Sequence, residues 1–205
     1  MAAACIILCG GRSSRMGRPK ASLQWAGGPL LAHLVKELRL TGAPVILVAS
    51  PQQSLPRLSP PAEVVYDLHE GLGPLNGFAT GLRALPTDAE SVYLSSCDLP
   101  LLRAAFVRRV LERLGSHDIS LPVKDGFPQP LAAAYRVGGL LAKLETLLAA
   151  GSRRLVDLLP GADVLRLPLE EFHDVDPRLE SLRNTNTADE YAELLRDFEG
   201  RDITS

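Results

Sequence analysis

The sequence predicts an α/β protein, a three-layer α/β/α arrangement around a mostly parallel central sheet. Short, continuously apolar runs alternate with segments whose apolar residues recur at spacings of three and four, the pattern of buried strands and amphipathic helices. The alternation leaves room for a crossover helix between successive strands, which produces parallel pairing with both faces covered. Strand-like runs end in Gly or Asp, so glycine-rich and acidic loops gather at the carboxyl edge of the sheet, where ligands sit in such folds.

Taken in order, Ala2 to Cys9 reads as a central strand ended by glycine. A long loop through Lys20 follows, and Gly27-Gly28-Pro29 marks a turn with proline at a helix start. Leu30, Leu31, Leu34, Val35 and Leu38 then recur at helical spacing up to Gly42. Pro44 to Ala49 is a second buried strand, Ser50 to Pro61 a proline-rich connection, and Glu63 to Tyr66 a short strand ending in Asp67. A second glycine-rich loop, Gly71 to Gly77, leads into a helix carrying Ala79, Leu82 and Leu85. Val92 to Ser95 is a strand that enters Ser96-Cys97-Asp98-Leu99-Pro100, and a helix with Leu102, Phe106, Val110, Leu111 and Leu114 comes next.

The second half is less regular. Strands are expected over Asp118 to Pro122, Leu131 to Tyr135 and Val164 to Leu167, with Gly126 to Pro130 as a rigid loop. Leu140 to Leu148 and Ser152 to Leu159 read as helices, whereas Leu169 to Arg183 has no assignable pattern. Thr187-Ala-Asp-Glu190 is a capping box opening a last helix with Tyr191, Leu194, Leu195 and Phe198 on one face.

At 205 residues the chain fits one domain, 1–205, with a core of its own. A net charge of −2 offers no field for a polynucleotide, so basic character must act locally. Cys5, Cys9 and Cys97 form neither a CxxC pair nor a disulfide framework and suit a reducing compartment, which makes the cytoplasm the expected location. No stretch approaches the ~20 uninterrupted apolar residues of a membrane span. His33, His69, His117 and His173 are scattered without ligand spacing, so zinc is not expected.

Chemistry concentrates in Leu8-Cys9-Gly10-Gly11-Arg12-Ser13-Ser14-Arg15-Met16-Gly17-Arg18-Pro19-Lys20. Glycines let backbone N–H groups approach a ligand, and three arginines with a lysine suit a polyanion, here a nucleoside triphosphate. It is neither a Walker loop, since no Ser or Thr follows Lys20, nor a GxGxxG fingerprint. Arg15 and Lys20 provide the charge to neutralise a leaving pyrophosphate. Asp98, just past an apolar strand, is the expected Mg²⁺ ligand, because that ion takes one or two protein carboxylates and completes its shell with water and phosphate oxygens. A helix N-cap is the plain alternative for Asp98, and a turn-starting aspartate the alternative to a ribose or metal-water contact for Asp67. Cys5 and Cys9 are expected to pack as small apolar residues, and Cys97, which faces the cleft in this reading, lacks an activating base.

These residues together resemble the molybdenum cofactor guanylyltransferases, within the wider α/β nucleotidyltransferases of Rossmann-like fold. The matching features are Leu8-Cys-Gly-Gly with Arg15-Met-Gly-Arg-Pro-Lys20, Asp67, Gly73-Pro-Leu-Asn-Gly77, Cys97-Asp-Leu-Pro100, Pro128-Gln-Pro130, Arg153-Arg154 and Asn184-Thr-Asn-Thr187. The resemblance implies GTP held by Leu8, Cys9, Gly10, Gly11 and Lys20, with Asp67 on the nucleotide and Asp98 on both nucleotide and Mg²⁺. It also implies that the phosphate of molybdopterin attacks the α-phosphorus of GTP and releases pyrophosphate, with Pro128, Gln129, Asn184 and Asn186 facing the pterin. The first part of the chain then binds nucleotide and the second part the acceptor. Recipient apo-enzymes or the chaperones that serve them are further implied partners.

The nucleotide is read from two positions. Gly10 resembles the guanine-using members, whereas cytidine-using relatives tend to have alanine there. Many guanylyltransferases have an asparagine just after the second strand, where this chain has Ala49-Ser50. Cytidylyl transfer to the same acceptor, a sugar-phosphate nucleotidyltransferase, and a molybdenum cofactor carrier without transfer activity are the competing readings.

Overall fold

The computed structural model describes residues 2–10, 20–69, 71–185 and 187–202. Strand β1 (Ala3–Leu8) is buried from Ala4 onward because strands pair with it on both sides and helices cover both of its faces. Beyond the loop, β2 (Gln24–Trp25) and β3 (Gly28–Pro29) form a small hairpin that the periodicity did not reveal, and Pro29 in extended conformation opens α1 (Leu30–Arg39). The buried residues of α1 are the expected Leu30, Leu31, Leu34, Val35 and Leu38.

Strands β4 (Val45–Ala49) and β5 (Glu63–Tyr66) follow as expected. Helix α2 spans Gly73–Arg83, so the segment read as a loop up to Gly77 is helical from Gly73, with Pro74 in the first turn, where a missing N–H costs nothing. Leu85 lies beyond its end. Strand β6 (Ser91–Ser96) leads to α3 (Ala104–Leu114), which starts two residues after Leu102.

Strand β7 (Ile119–Lys124) runs longer than expected and turns back as β8 (Phe127–Pro128). The turn residues Asp125 and Gly126 have φ of 51° and 80°, the left-handed pair that two-residue hairpins require. Part of the expected rigid loop is therefore a strand. Residues Pro130–Ala132 form a 3₁₀ turn, and β9 is confined to Ala133–Arg136. Helix α4 (Leu140–Ala149) is as expected, whereas Leu155–Leu158 is only a 3₁₀ turn. After β10 (Val164–Leu167), the unassigned stretch holds two 3₁₀ turns, Leu169–Phe172 and Glu180–Leu182.

The last helix, α5 (Ala188–Asp202), opens on the capping box. The Thr187 N–H donates to Glu190 Oε2 and the Glu190 N–H donates to Thr187 Oγ1, both at 3.2 Å.

The sheet order is β10-β7-β9-β6-β1-β4-β5, with β8 paired to β7. All neighbours on this path are parallel except β9, which runs against both β6 and β7. No crossover helix separates β7 from β9, so the return can only be antiparallel. Cys5, Ile7 and Cys9 face a core shared with α1, α3 and α5, while Ile6 and Leu8 face one shared with α2 and α4. This is the three-layer α/β/α arrangement. No helix among the described residues is long and apolar enough to cross a membrane.

Candidate active site

Parallel pairing brings four chain exits to one edge. β1 leaves through Cys9 and Gly10, β4 through Ser50, β5 through Asp67 and β6 through Cys97 and Asp98. The Cys9 N–H donates to Val48 O at 2.7 Å and the Asp67 N–H to Ala49 O at 2.8 Å, so the pairing runs to the lip of the edge. A Cβ on Gly10 would stand 3.3 Å from Ser50 Oγ, which shows how close these two exits lie.

Asp98 and Lys20 meet on the β6 side. Lys20 starts a 3₁₀ turn, and its Nζ lies 3.8 Å from Asp98 Oδ2 and donates to the Thr185 carbonyl at 2.6 Å. The Thr185 N–H in turn donates to the Asp98 carbonyl at 2.9 Å. Ser96 Oγ donates to Asp98 Oδ1. Asp98 is not a helix cap, because Arg103 holds that position for α3. Its carboxylate is 24% exposed, so one oxygen is anchored while the group stays open to a ligand.

Asp67 is held differently. The buried Asn76 in the first turns of α2 donates Nδ2–H to Asp67 Oδ1 at 2.5 Å, and the His69 N–H donates to the same oxygen at 3.0 Å. Gly73 permits this placement of α2. It has φ of 76°, and a Cβ there would come within 2.7 Å of the Arg153 carbonyl. Arg153 Nη1 also donates to Gly71 O at 3.2 Å, so the Arg153-Arg154 segment abuts the start of α2.

Because β9 is antiparallel, it enters rather than leaves at this edge, and the 3₁₀ turn before it lies beyond β6. Pro128 belongs to the β8 hairpin, and one N–H of the Gln129 amide donates to the Phe127 carbonyl at 3.0 Å. Asn184 is exposed next to Thr185, which is buried. Gly11, Arg15 and Asn186 lie outside the described residues, so no position is assigned to them. Asn76, Ser96 and Gln53, whose Nε2 donates to the Cys9 carbonyl at 2.8 Å, belong to the constellation although sequence reasoning did not select them. Asn76 alone had a signal, as the polar residue of Gly73-Pro-Leu-Asn-Gly77.

Cys97 is buried, contrary to the expectation that it sees the cleft. A hydrogen bond with Cys97, then burial, holds the Cys9 thiol well above the ordinary thiol range, so it is a neutral packing group. Burial likewise pushes Cys5 up to about 12, against a smaller lowering by its hydrogen bond with Thr41.

No group of three or more His, Cys, Asp or Glu converges among the described residues. A metal held through the single carboxylate of Asp98 must therefore complete its shell with substrate oxygens and water. That donor set fits Mg²⁺ and does not fit a structural zinc.

Residues 5–164 match the model of the MobA-like NTP transferase domain. Over 196 residues, 94% of each chain, the sequence is 34% identical to a probable molybdenum cofactor guanylyltransferase of Carboxydothermus hydrogenoformans. The fold is similar to a molybdopterin-guanine dinucleotide biosynthesis protein A of Archaeoglobus fulgidus, with a TM-score of 0.80 at 24% identity, covering 96% of this chain and 99% of that one. It is also similar to a Mycobacterium tuberculosis protein crystallised with manganese, with a TM-score of 0.67 at 17% identity over 96% and 99% of the two chains.

Proposed function

The chain belongs to the MobA-like NTP transferase family, and from that premise we propose that it transfers GMP from GTP to the terminal phosphate of molybdopterin or molybdenum cofactor, releasing pyrophosphate. The observation that carries this reading is the meeting of Lys20, Asp98 and Thr185 at the sheet edge. A phosphate-binding cation and a metal-ligand carboxylate there adjoin the Asn184 to Thr187 segment, the feature most particular to the cofactor-modifying enzymes. The whole chain, 1–205, acts as one domain in this proposal, with nucleotide toward β1, β4 and β5 and acceptor toward β9 and the start of α5.

A phosphate monoester is largely ionised near pH 7, its second pKa being about 6, so the acceptor needs no base to create a nucleophile. One of its oxygens attacks the α-phosphorus of GTP. The bond from that phosphorus to the bridging oxygen breaks, and the electron pair leaves with pyrophosphate. Catalysis consists of alignment and charge neutralisation. Gly10 lets the triphosphate approach the backbone, and Asp67, oriented by Asn76, receives the ribose hydroxyls. Lys20 turns from Asp98 toward the β- and γ-phosphates, and Arg15 adds charge from the preceding loop. Asp98, steadied by Ser96, would hold Mg²⁺, which would supply charge neutralisation at the phosphates. Gln129, Asn184 and Asn186, with Pro128 shaping the turn, line the acceptor side.

Radiolabelled GTP and CTP, each supplied with molybdopterin and Mg²⁺, test the reading. Label is expected in the pterin product from GTP; transfer from CTP alone would overturn the choice of donor. No transfer from either, with molybdopterin bound, would favour a carrier.

A further inference from the structure

We infer that Gln53 is a specificity-determining residue that selects nucleobases with a keto group, as in guanine, over those with an amino group at the same place. The inference rests on the GTP reading above and adds a mechanism for base choice at the position where the expected asparagine is missing.

Gln53 closes a tight turn, Ser50-Pro51-Gln52-Gln53, in which its N–H donates to Ser50 O at 3.0 Å. The side chain folds back over the same turn. Its Oε1 accepts from the Ser50 N–H at 3.4 Å, while its Nε2 donates to the Cys9 carbonyl at 2.8 Å. One amide thus bridges the exits of β1 and β4, beside Gly10. On the other flank of β1 stand Lys20 and Asp98, the groups suited to phosphates and metal. A triphosphate lying across β1 therefore places its uncharged base toward the amide.

The two backbone bonds fix which way the amide points. Flipping it would set Oε1 against the Cys9 carbonyl and Nε2 against the Ser50 N–H, two contacts between like poles. A primary amide has two N–H donors and two carbonyl lone pairs, so one of each remains for a ligand, in an order that cannot invert. Gln53 and Ser50 are both half-buried and keep a face toward solvent. Guanine and uracil offer an acceptor oxygen beside an N–H; adenine and cytosine offer an amino group beside an unprotonated nitrogen, the reverse order. A fixed amide that pairs with one order leaves its donor and acceptor unpaired against the other, and sites built this way discriminate strongly.

The test measures dissociation constants of GTP, ITP, UTP, ATP and CTP with Mg²⁺ and without acceptor. For the wild type, GTP and ITP are expected to group together and UTP to bind ahead of CTP, since ITP keeps the oxygen and N–H of guanine but lacks its 2-amino group. Gln53→Met, of similar volume but without donor or acceptor, is expected to reduce the GTP-to-ATP preference about tenfold or more while binding of tripolyphosphate stays unchanged. ITP falling to the level of ATP in the wild type would overturn the proposal without any variant. An unchanged GTP-to-ATP ratio in a folded Gln53→Met protein would overturn it too. Binding is read apart from transfer, so a chain that selects keto bases but modifies no pterin would sink the guanylyl-transfer reading alone.

Discussion

The Lys20 ammonium donates to the Thr185 carbonyl at 2.6 Å, a bond between residues 165 apart in sequence. It ties Lys20, the residue proposed to bind phosphates, to the segment proposed to face the acceptor. Thr185 is also bonded through its N–H to the Asp98 carbonyl, so in the proposed reaction a turn of Lys20 toward a triphosphate would release one of the two bonds that hold Thr185, next to Asn184.

Lys20→Ala is therefore expected to act on both substrates. A charge-assisted hydrogen bond is worth about 1.5–3 kcal/mol, which corresponds to a weakening of GTP binding of roughly 10- to 150-fold. The KM for molybdopterin is expected to rise as well. Calorimetry with GTP and initial rates at varied acceptor check the pair of effects; an unchanged acceptor KM would mean that the Thr185 contact transmits nothing.

Asp98→Asn removes the charge but keeps the backbone carbonyl that receives the Thr185 N–H. Transfer is expected to fall by at least roughly 10²- to 10³-fold, the scale seen when one preorganised electrostatic group is lost, with little change in thermal unfolding. Ser96→Ala is expected to be milder, raising the Mg²⁺ concentration needed for half-maximal rate. Pyrophosphate release across a Mg²⁺ titration measures both, and full turnover in Asp98→Asn would remove the carboxylate from the mechanism.

Asn76 holds Asp67 through a bond of 2.5 Å. Asn76→Ala is expected to lower kcat/KM for GTP about tenfold by freeing Asp67, within the range for hydrogen bonds to charged groups. Asn76→Asp should do more damage, since it sets two carboxylates against each other where Asn76 is buried. Steady-state kinetics of the two variants decide this, and an aspartate variant as active as the alanine one would mean that Asp67 is not positioned by residue 76.

The sheet's parallel half was legible because β1 and β4 are buried on both faces and appear as unbroken apolar runs, while β6 shows the apolar centre Val92-Tyr93-Leu94 between serines. The direction of β9 was not, since an apolar run has the same period whichever way it runs; the Asp125-Gly126 turn was the available sign. The candidate site was legible where one residue carries its own chemistry, as with Asp67 and Asp98 just past the ends of strands and Lys20 in the basic loop. It was not legible where a side chain's place in the candidate site depends on a partner brought by folding. Gln53 lies 44 residues from the Cys9 carbonyl it binds, and neither its type nor its spacing marks it.

His33 on α1 sets an acid limit on stability. Its ring lies 6.2 Å from that of Trp25 and 6.4 Å from that of Phe198, between centroids, which places it where α1, the β2–β3 hairpin and α5 pack. Burial lowers its pKa, assisted by Lys36, against the opposing pull of Glu37 and the Pro100 carbonyl. In the unfolded chain an imidazole titrates at about 6.5, above the folded value, so on acidification the unfolded state takes up the proton first. The stabilisation from keeping His33 neutral is complete above pH ~6.5 and is lost as pH falls through the folded value. Between about pH 7 and 5 the urea midpoint of the wild type is expected to drop more steeply than that of His33→Gln, which cannot titrate. Parallel midpoints for the two proteins over that window would show that His33 takes up its proton equally in both states.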